Sequence, residues 1–149
     1  MAIRAMFLAL AALIWFAPGA KAQSATLFAV LNGGNVCKEV IGLICGVGDP
    51  DGVGSATVTI ISETRLCVGL VVDDIGTPTA ARIHAAPAAV NGPVVVTLPV
   101  PSSGNPGTSS GCATVDEETL AAMRLGPQNF YVNVRNSSYS KGAVRGQLF

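Results

Sequence analysis

Residues 54–72 read GSATVTIISETRLCVGLVV, and this stretch predicts two antiparallel strands joined by a short turn. In the first half Ala56, Val58 and Ile60 alternate with serine and threonine, and in the second half apolar residues again occupy every second position. A period of two is typical of a strand with one buried face and one solvated face. The two-residue connection at 63–64 then predicts a hairpin.

Further segments on both sides of this hairpin show the same alternation, separated by glycine, proline and asparagine turns. One helix is predicted at 116–124, because acids fill its first turn and Gly126-Pro127 ends it. The segment holding the first two cysteines is expected to be an irregular loop, and 99–111 a flexible surface loop without periodicity. The predicted strands are 25–31, 54–62, 65–72, 80–85, 94–98, 112–115, 129–135 and 142–149.

This order of elements predicts an all-β fold, a single antiparallel Greek-key β-sandwich of about eight strands with one short helix. Short strands with frequent turns do not suit a parallel sheet, which needs crossover helices.

The first 22 residues are predicted to be a secretory signal peptide. A positive start ending at Arg4 precedes an uncharged apolar run at 5–17, and Ala20-Lys21-Ala22 offers small residues to a signal peptidase. The rival interpretation is a retained membrane anchor, but the run is shorter than the roughly 20 residues that span a bilayer. Residues 23–149 would then form one secreted or periplasmic domain without a transmembrane segment.

The charge of that mature domain argues against a nucleic-acid partner. Loss of Arg4 and Lys21 leaves seven Lys and Arg against nine Asp and Glu, a net charge of −2. A polyanion is not attracted to such a chain as a whole.

Four cysteines follow the leader, and an even number in a secreted chain predicts two disulfides. Three connectivities are open from the sequence. We favour Cys37–Cys45, which closes a local loop, and Cys67–Cys112, which ties distant strands together.

Three stretches together resemble the CHRD (chordin-type) domain family: 54–70, then 80–95 with Ala80-Ala81-Arg82-Ile83-His84, and 130–148 with Phe130-Tyr131-Val132-Asn133-Val134-Arg135. The resemblance covers nearly all of the mature chain. It implies a module outside the cytoplasm, found in bacterial secreted proteins and in animal regulators of growth-factor signalling, with no established catalytic activity. The family pattern carries His-x-His at the second stretch and a further histidine in the third, and this chain has arginine at 82 and 135.

The alternative function is a metal-binding protein similar to Cu/Zn superoxide dismutase, centred on His84. Such a site needs three or four ligands around one ion. Arg82 and Arg135 occupy two of the three histidine positions, and a guanidinium group does not coordinate a cation. We therefore expect no metal and no other cofactor.

Alternation suggests a polar face instead. If their strands are neighbours, a possible ligand-binding face gathers the following residues: Arg82, His84, Asn133, Arg135, Arg145 and Gln147. Guanidinium groups bind carboxylate, phosphate or sulfate through paired hydrogen bonds. The other interpretation is that these groups make ordinary surface ion pairs with Asp73, Asp74 or Glu63.

We predict no catalytic residues, because one histidine would have to serve any triad and no serine lies in Gly-x-Ser-x-Gly. The leading interpretation is a non-catalytic binding or structural module. Its partner would be a protein or an anionic or glycan ligand outside the cytoplasm. Asn136-Ser137-Ser138 fits the glycosylation acceptor pattern, which often arises by chance.

Overall fold

The computed structural model describes residues 24–149 of the chain, and the predicted leader at 1–22 lies outside them. The stretch 54–72 folds into the predicted hairpin, with Val58 facing Val68 across the pair. Its first strand ends at Ile60, so the connection is the four residues 61–64 rather than the predicted two. The alternate apolar residues of both strands are buried. The strands and helix are, in chain order, β1 (Ala25–Asn32), β2 (Cys37–Val40), β3 (Gly42–Cys45), β4 (Val53–Ile60), β5 (Arg65–Asp73), β6 (Pro78–Ala85), β7 (Val94–Leu98), β8 (Gly107–Thr114), α1 (Glu117–Leu125), β9 (Phe130–Asn136) and β10 (Val144–Gln147).

Eight strands form one antiparallel sheet in the order β7-β6-β9-β10-β1-β4-β5-β8. Several hydrogen-bonded neighbours are not consecutive in the chain, among them β1 and β4, β5 and β8, and β6 and β9. The two end strands, β7 and β8, contact each other. The sheet therefore curls into the barrel-like form of the predicted sandwich, and its inner face is the core.

Helix α1 closes part of this core. Leu120 and Met123 are fully buried against the strands. Its first turn is capped by Asp116, whose Oδ1 accepts a hydrogen bond from the Thr119 N–H at 2.7 Å. That bond stabilises the ionised carboxylate and lowers its pKa below the ordinary value. Asp116, predicted as the first helical residue, is thus the N-cap.

Both predicted disulfides are confirmed, Cys37–Cys45 and Cys67–Cys112. The first corrects the expected irregular loop. Cys37 and Cys45 face each other across β2 and β3, which form a separate two-stranded hairpin. The sequence does not indicate the pairing of β2 with β3, because this hairpin has no buried face that would impose an alternating pattern.

The expected flexible loop at 99–111 is also partly wrong, because β8 already begins at Gly107 and pairs with Val72 of β5. This segment is an edge strand of small residues. Its backbone hydrogen bonds to β5 and the Cys67–Cys112 bridge hold it without a large apolar face. Gly107 is required, because a Cβ there would lie 1.6 Å from the Ser103 carbonyl oxygen.

Within residues 24–149, no helix is long and apolar enough to cross a membrane.

Candidate functional site

The strands that carry the predicted polar face are direct neighbours in the sheet, β6 beside β9 and β9 beside β10. Asn133 of β9 lies opposite Arg82 on one side and Arg145 on the other. One pair further along β9, Tyr131 lies opposite both His84 and Gln147. The register therefore brings the predicted residues onto one side of three adjacent strands.

This side of the sheet is covered rather than open to solvent. The β6–β7 loop at 86–93 and the β2–β3 hairpin lie over it. Arg145 is only 3% exposed beneath the loop. Its guanidinium group donates to the carbonyl oxygens of Pro87 at 3.2 Å and Val90 at 2.9 Å, and to Asn91 Oδ1 at 3.2 Å. Arg145 therefore holds the loop in place.

The amide of Gln147 has a similar role. Its Nε2 donates to the carbonyl oxygens of Ala86 and Gln128, each at 2.7 Å. Gln147 thus joins the β6–β7 loop to the segment before β9. Two of the predicted ligand-binding residues consequently use their donors within the protein.

Asn91 continues the connection from Arg145 to the hairpin. Its Oδ1 accepts from Arg145, while its Nδ2 donates to the Cys37 carbonyl oxygen at 3.1 Å. The chain of contacts fixes β2 against the loop.

Tyr131 lies at the centre of this layer and was not among the predicted site residues. The His84 ring stacks on it, with centroids 4.8 Å apart and planes 7° from parallel. The Arg145 guanidinium lies 3.5 Å from the Tyr131 ring centroid. Its hydroxyl oxygen accepts from the Gly92 N–H at 3.3 Å. Alternation along β9 places Tyr131 on the same face as Asn133, and this is the sequence feature that could have identified Tyr131 as part of the site.

A cavity of about 300 Å³ opens between this face and the hairpin. Three basic side chains against one carboxylate give it an excess of positive charge. The residues that line it are Cys37, Lys38, Glu39, His84, Asn91, Gly92, Tyr131, Asn133, Arg135 and Lys141.

His84 is buried at the edge of this cavity with one ring nitrogen unpartnered. Nδ1 donates to the Gly92 carbonyl oxygen at 2.9 Å, since a carbonyl oxygen only accepts. In the neutral ring Nε2 is then an acceptor, and it is buried without a hydrogen-bond partner. Burial lowers the pKa of His84, and the charges of Arg135, Arg82 and Arg145 lower it further, against the opposing effect of the Gly92 hydrogen bond.

Arg135 also has an unused polar atom. Its Nε is buried and has no hydrogen-bond partner. Burial lowers the pKa of Arg135, and the like charge of Arg82 lowers it further, while Tyr131 raises it. The neighbouring groups that act on the pKa of Arg135 are thus Arg82 and Tyr131, and the carboxylates of the surface-pair interpretation are not among them.

Of the two other predicted residues, Arg82 is not part of the cavity lining and Asn133 is partly engaged. Its Nδ2 donates to the Lys141 carbonyl oxygen at 3.0 Å. Its Oδ1 is buried without a partner, packed close to Gly142. Asn133 therefore fixes the β9–β10 turn, which carries Lys141 to the cavity.

Nothing observed favours the metal site. In the described part of the chain, no three His, Cys, Asp or Glu side chains lie close enough to hold an ion. Both cysteine pairs are bonded as disulfides, and the charges that act on His84 come from three arginines.

The glycosylation pattern at Asn136 falls on a buried residue. Its Oδ1 accepts from the Tyr139 N–H at 2.8 Å, and its Nδ2 faces the Gly76 carbonyl oxygen at 3.5 Å. The amide thus closes the β9–β10 turn, and in the folded protein its nitrogen is not presented for modification.

The family model of the CHRD domain matches residues 27–148 of the chain. That range takes in β1 from Leu27 onward and all the later strands of the eight-stranded sheet. No curated protein and no solved structure matches the chain.

Proposed function

We propose that this chain, which belongs to the CHRD domain family, is a non-catalytic binding module that acts outside the cytoplasm. We propose further that its cavity beside His84 holds an acidic carbohydrate. Both disulfides support an oxidising compartment, and so does the predicted leader.

The observation that carries the proposal is the state of Arg135. Its Nε is buried without a hydrogen-bond partner, and the like charge of Arg82 lowers its pKa. Arg135 is half-buried, and its unpaired Nε lies in the buried part, which is costly; two neighbouring guanidinium groups also repel each other. A carboxylate or sulfate oxygen removes both penalties, because it accepts the hydrogen bond and supplies the opposite charge.

The state of His84 narrows the ligand class. Its Nε2 is a buried acceptor without a donor, and an anionic oxygen does not supply one. A sugar hydroxyl does. A carbohydrate that bears carboxylate or sulfate groups offers hydroxyl donors and anionic acceptors on one molecule, which suits His84 and Arg135 together.

The lining itself supports binding rather than catalysis. Its single cysteine is bonded in a disulfide, and the one histidine has committed Nδ1 to Gly92. A nucleophile with an adjacent base is therefore not assembled from the residues that line the cavity.

The test is calorimetric titration with three saccharides of similar length, namely a heparin-derived oligosaccharide, an oligogalacturonate and neutral dextran. The proposal expects saturable binding of at least one acidic saccharide and none of dextran. Arg135→Ala should weaken that binding about tenfold or more, since a hydrogen bond to a charged group contributes about 1.5–3 kcal/mol.

The matched control is Arg65→Ala, which removes an exposed arginine from β5. It should leave the affinity unchanged. Equal binding by wild type and by Arg82→Ala combined with Arg135→Ala would remove the proposed site.

A further inference from the structure

The β2–β3 hairpin ends in an aliphatic tip with the sequence VIGLI at 40–44. Ile41 is 98% exposed, and Leu43 and Ile44 are 48% and 47% exposed. Three large apolar side chains in five consecutive residues is a costly arrangement in water. Scattered apolar residues need no explanation, but a contiguous exposed group indicates an interaction site.

The tip is built to project. Val40 and Gly42 pair directly, so Ile41 alone forms the apex. Gly42 adopts φ +95°, a conformation that other residues rarely adopt. The Cys37–Cys45 bridge closes the base of the hairpin, and Asn91 holds its first strand at Cys37. The apolar apex is therefore held away from the core by covalent and hydrogen-bonded supports.

Two basic side chains lie near the base of the tip. Lys38 lies in β2, and Lys141 lies beside it in the lining of the same cavity. Lys38 and Lys141 are exposed, and Glu39 is the acid among them. Lys38 precedes Ile41 by three residues, or about 10 Å along an extended strand.

These features match a lipid surface. Membrane-bound amphipathic elements bury their apolar side about 5–10 Å into the boundary of headgroups and acyl chains, and nearby lysines contact anionic lipids. With Ile41 among the acyl chains, Lys38 lies at the level of the lipid phosphates. A protein partner fits less well, because protein hot spots are rich in Trp, Tyr and Arg and poor in Leu and Val.

We propose that the hairpin tip at 40–44 inserts into the surface of a membrane that contains anionic phospholipids. This inference goes beyond the carbohydrate cavity and does not depend on it. Lys38 and Lys141 are common to both, but the apolar tip that carries the inference, with Ile41 at its apex, does not line the cavity. Insertion tethers the domain to a membrane at the tip while the sheet remains in water.

The test is sedimentation of the purified protein with vesicles, every variant having the same N-terminus. One set of vesicles contains phosphatidylcholine alone, and the other contains equal parts of phosphatidylglycerol and phosphatidylcholine. We expect binding to the mixed vesicles and weaker binding to the neutral ones. Ile41→Asp should weaken binding to the mixed vesicles about tenfold or more, because it places a charge where the isoleucine would be buried in the membrane.

The control is Leu125→Asp, which changes another exposed aliphatic residue, 89% exposed at the end of α1. It should bind the vesicles as wild type does. Since Trp15 in the leader is the one tryptophan of the chain, Ile41→Trp also reports insertion. Its fluorescence should shift to shorter wavelengths with mixed vesicles, and that of Leu125→Trp should not.

Three outcomes overturn the inference. They are failure to bind mixed vesicles, equal binding by Ile41→Asp and wild type, and capture of a protein through Ile41 without any vesicle binding. None of them bears on the saccharide titration, which uses other variants and soluble probes.

Discussion

The guanidinium carbon of Arg145 lies 3.5 Å from the centroid of the Tyr131 ring. Arg145 comes from β10 and His84 from β6, the two strands that flank Tyr131 in the sheet, so cation and imidazole approach the ring from opposite sides. Burial lowers the pKa of Arg145, and Tyr131 opposes that effect. The stack of Arg145, Tyr131 and His84, together with the carbonyl oxygens of the 86–93 loop, forms the base of the cavity.

Arg145→Ala should lower the free energy of unfolding by about 2–4 kcal/mol, because buried acceptors on the 86–93 loop lose their donors. Arg145→Lys should recover only part of this, since an ammonium group does not reproduce the guanidinium geometry. Urea unfolding of both variants measures the effect. A loss no larger than that of exposed Arg65→Ala would contradict the structural role.

Two substitutions of Tyr131 separate the contribution of its ring packing to stability from that of its hydrogen bond. Tyr131→Phe keeps the ring between His84 and Arg145 and removes only the acceptor for Gly92 N–H, so it should cost about 1 kcal/mol. Tyr131→Ala removes the ring and should cost about 3–5 kcal/mol. Thermal or urea unfolding measures both, and equal losses would show that the stack contributes nothing.

His84 should make stability depend on pH. The unfolded chain has the ordinary imidazole pKa of 6.5, and burial gives the folded state a lower one. Between the two values the unfolded state binds more protons, so the free energy of unfolding rises with pH. The contribution is complete above pH 6.5 and declines as the pH falls towards the folded pKa.

His84→Phe should remove this dependence in the same window. NMR also measures the pKa directly, because His84 is the single histidine of the chain. A measured value at or above 6.5 would contradict the described burial.

The two disulfides should differ in their effect on stability. Their sequence separations are 45 residues for Cys67–Cys112 and 8 for Cys37–Cys45. Loop-closure entropy gives contributions of about 4 and about 2.5 kcal/mol. Double Cys→Ser variants of each pair, compared by urea unfolding, test this order, which would be wrong if the short bridge contributed more.

The sandwich could be predicted because alternating residues such as Val58 and Val68 record which side of a strand is buried. The two cysteine pairs are favoured for a different reason, namely that Cys37–Cys45 closes a local loop and Cys67–Cys112 joins distant strands, and the structure confirms both. Strand β8 and the β2–β3 hairpin could not be predicted, because backbone hydrogen bonds and a disulfide hold them, and neither leaves a hydrophobic period.

For the site, alternation correctly placed Arg82 and His84 together, and Asn133 with Arg135. Alternation did not predict that the β6–β7 loop and the β2–β3 hairpin cover this side of the sheet. The contacts of Arg145 with Pro87 and Val90 join residues more than fifty positions apart, and no local pattern records them. The sequence does not indicate the role of Tyr131, because that role comes from His84 and Arg145, its neighbours across the sheet.

The most direct test of the central claim follows the His84 imidazole resonance while an acidic oligosaccharide is added. We predict a saturable shift with oligogalacturonate or heparin-derived saccharide, none with dextran, and a much weaker response in Arg82→Ala combined with Arg135→Ala. A His84 signal that stays unmoved by every acidic saccharide, or that moves equally in the double variant, would contradict the proposed binding site.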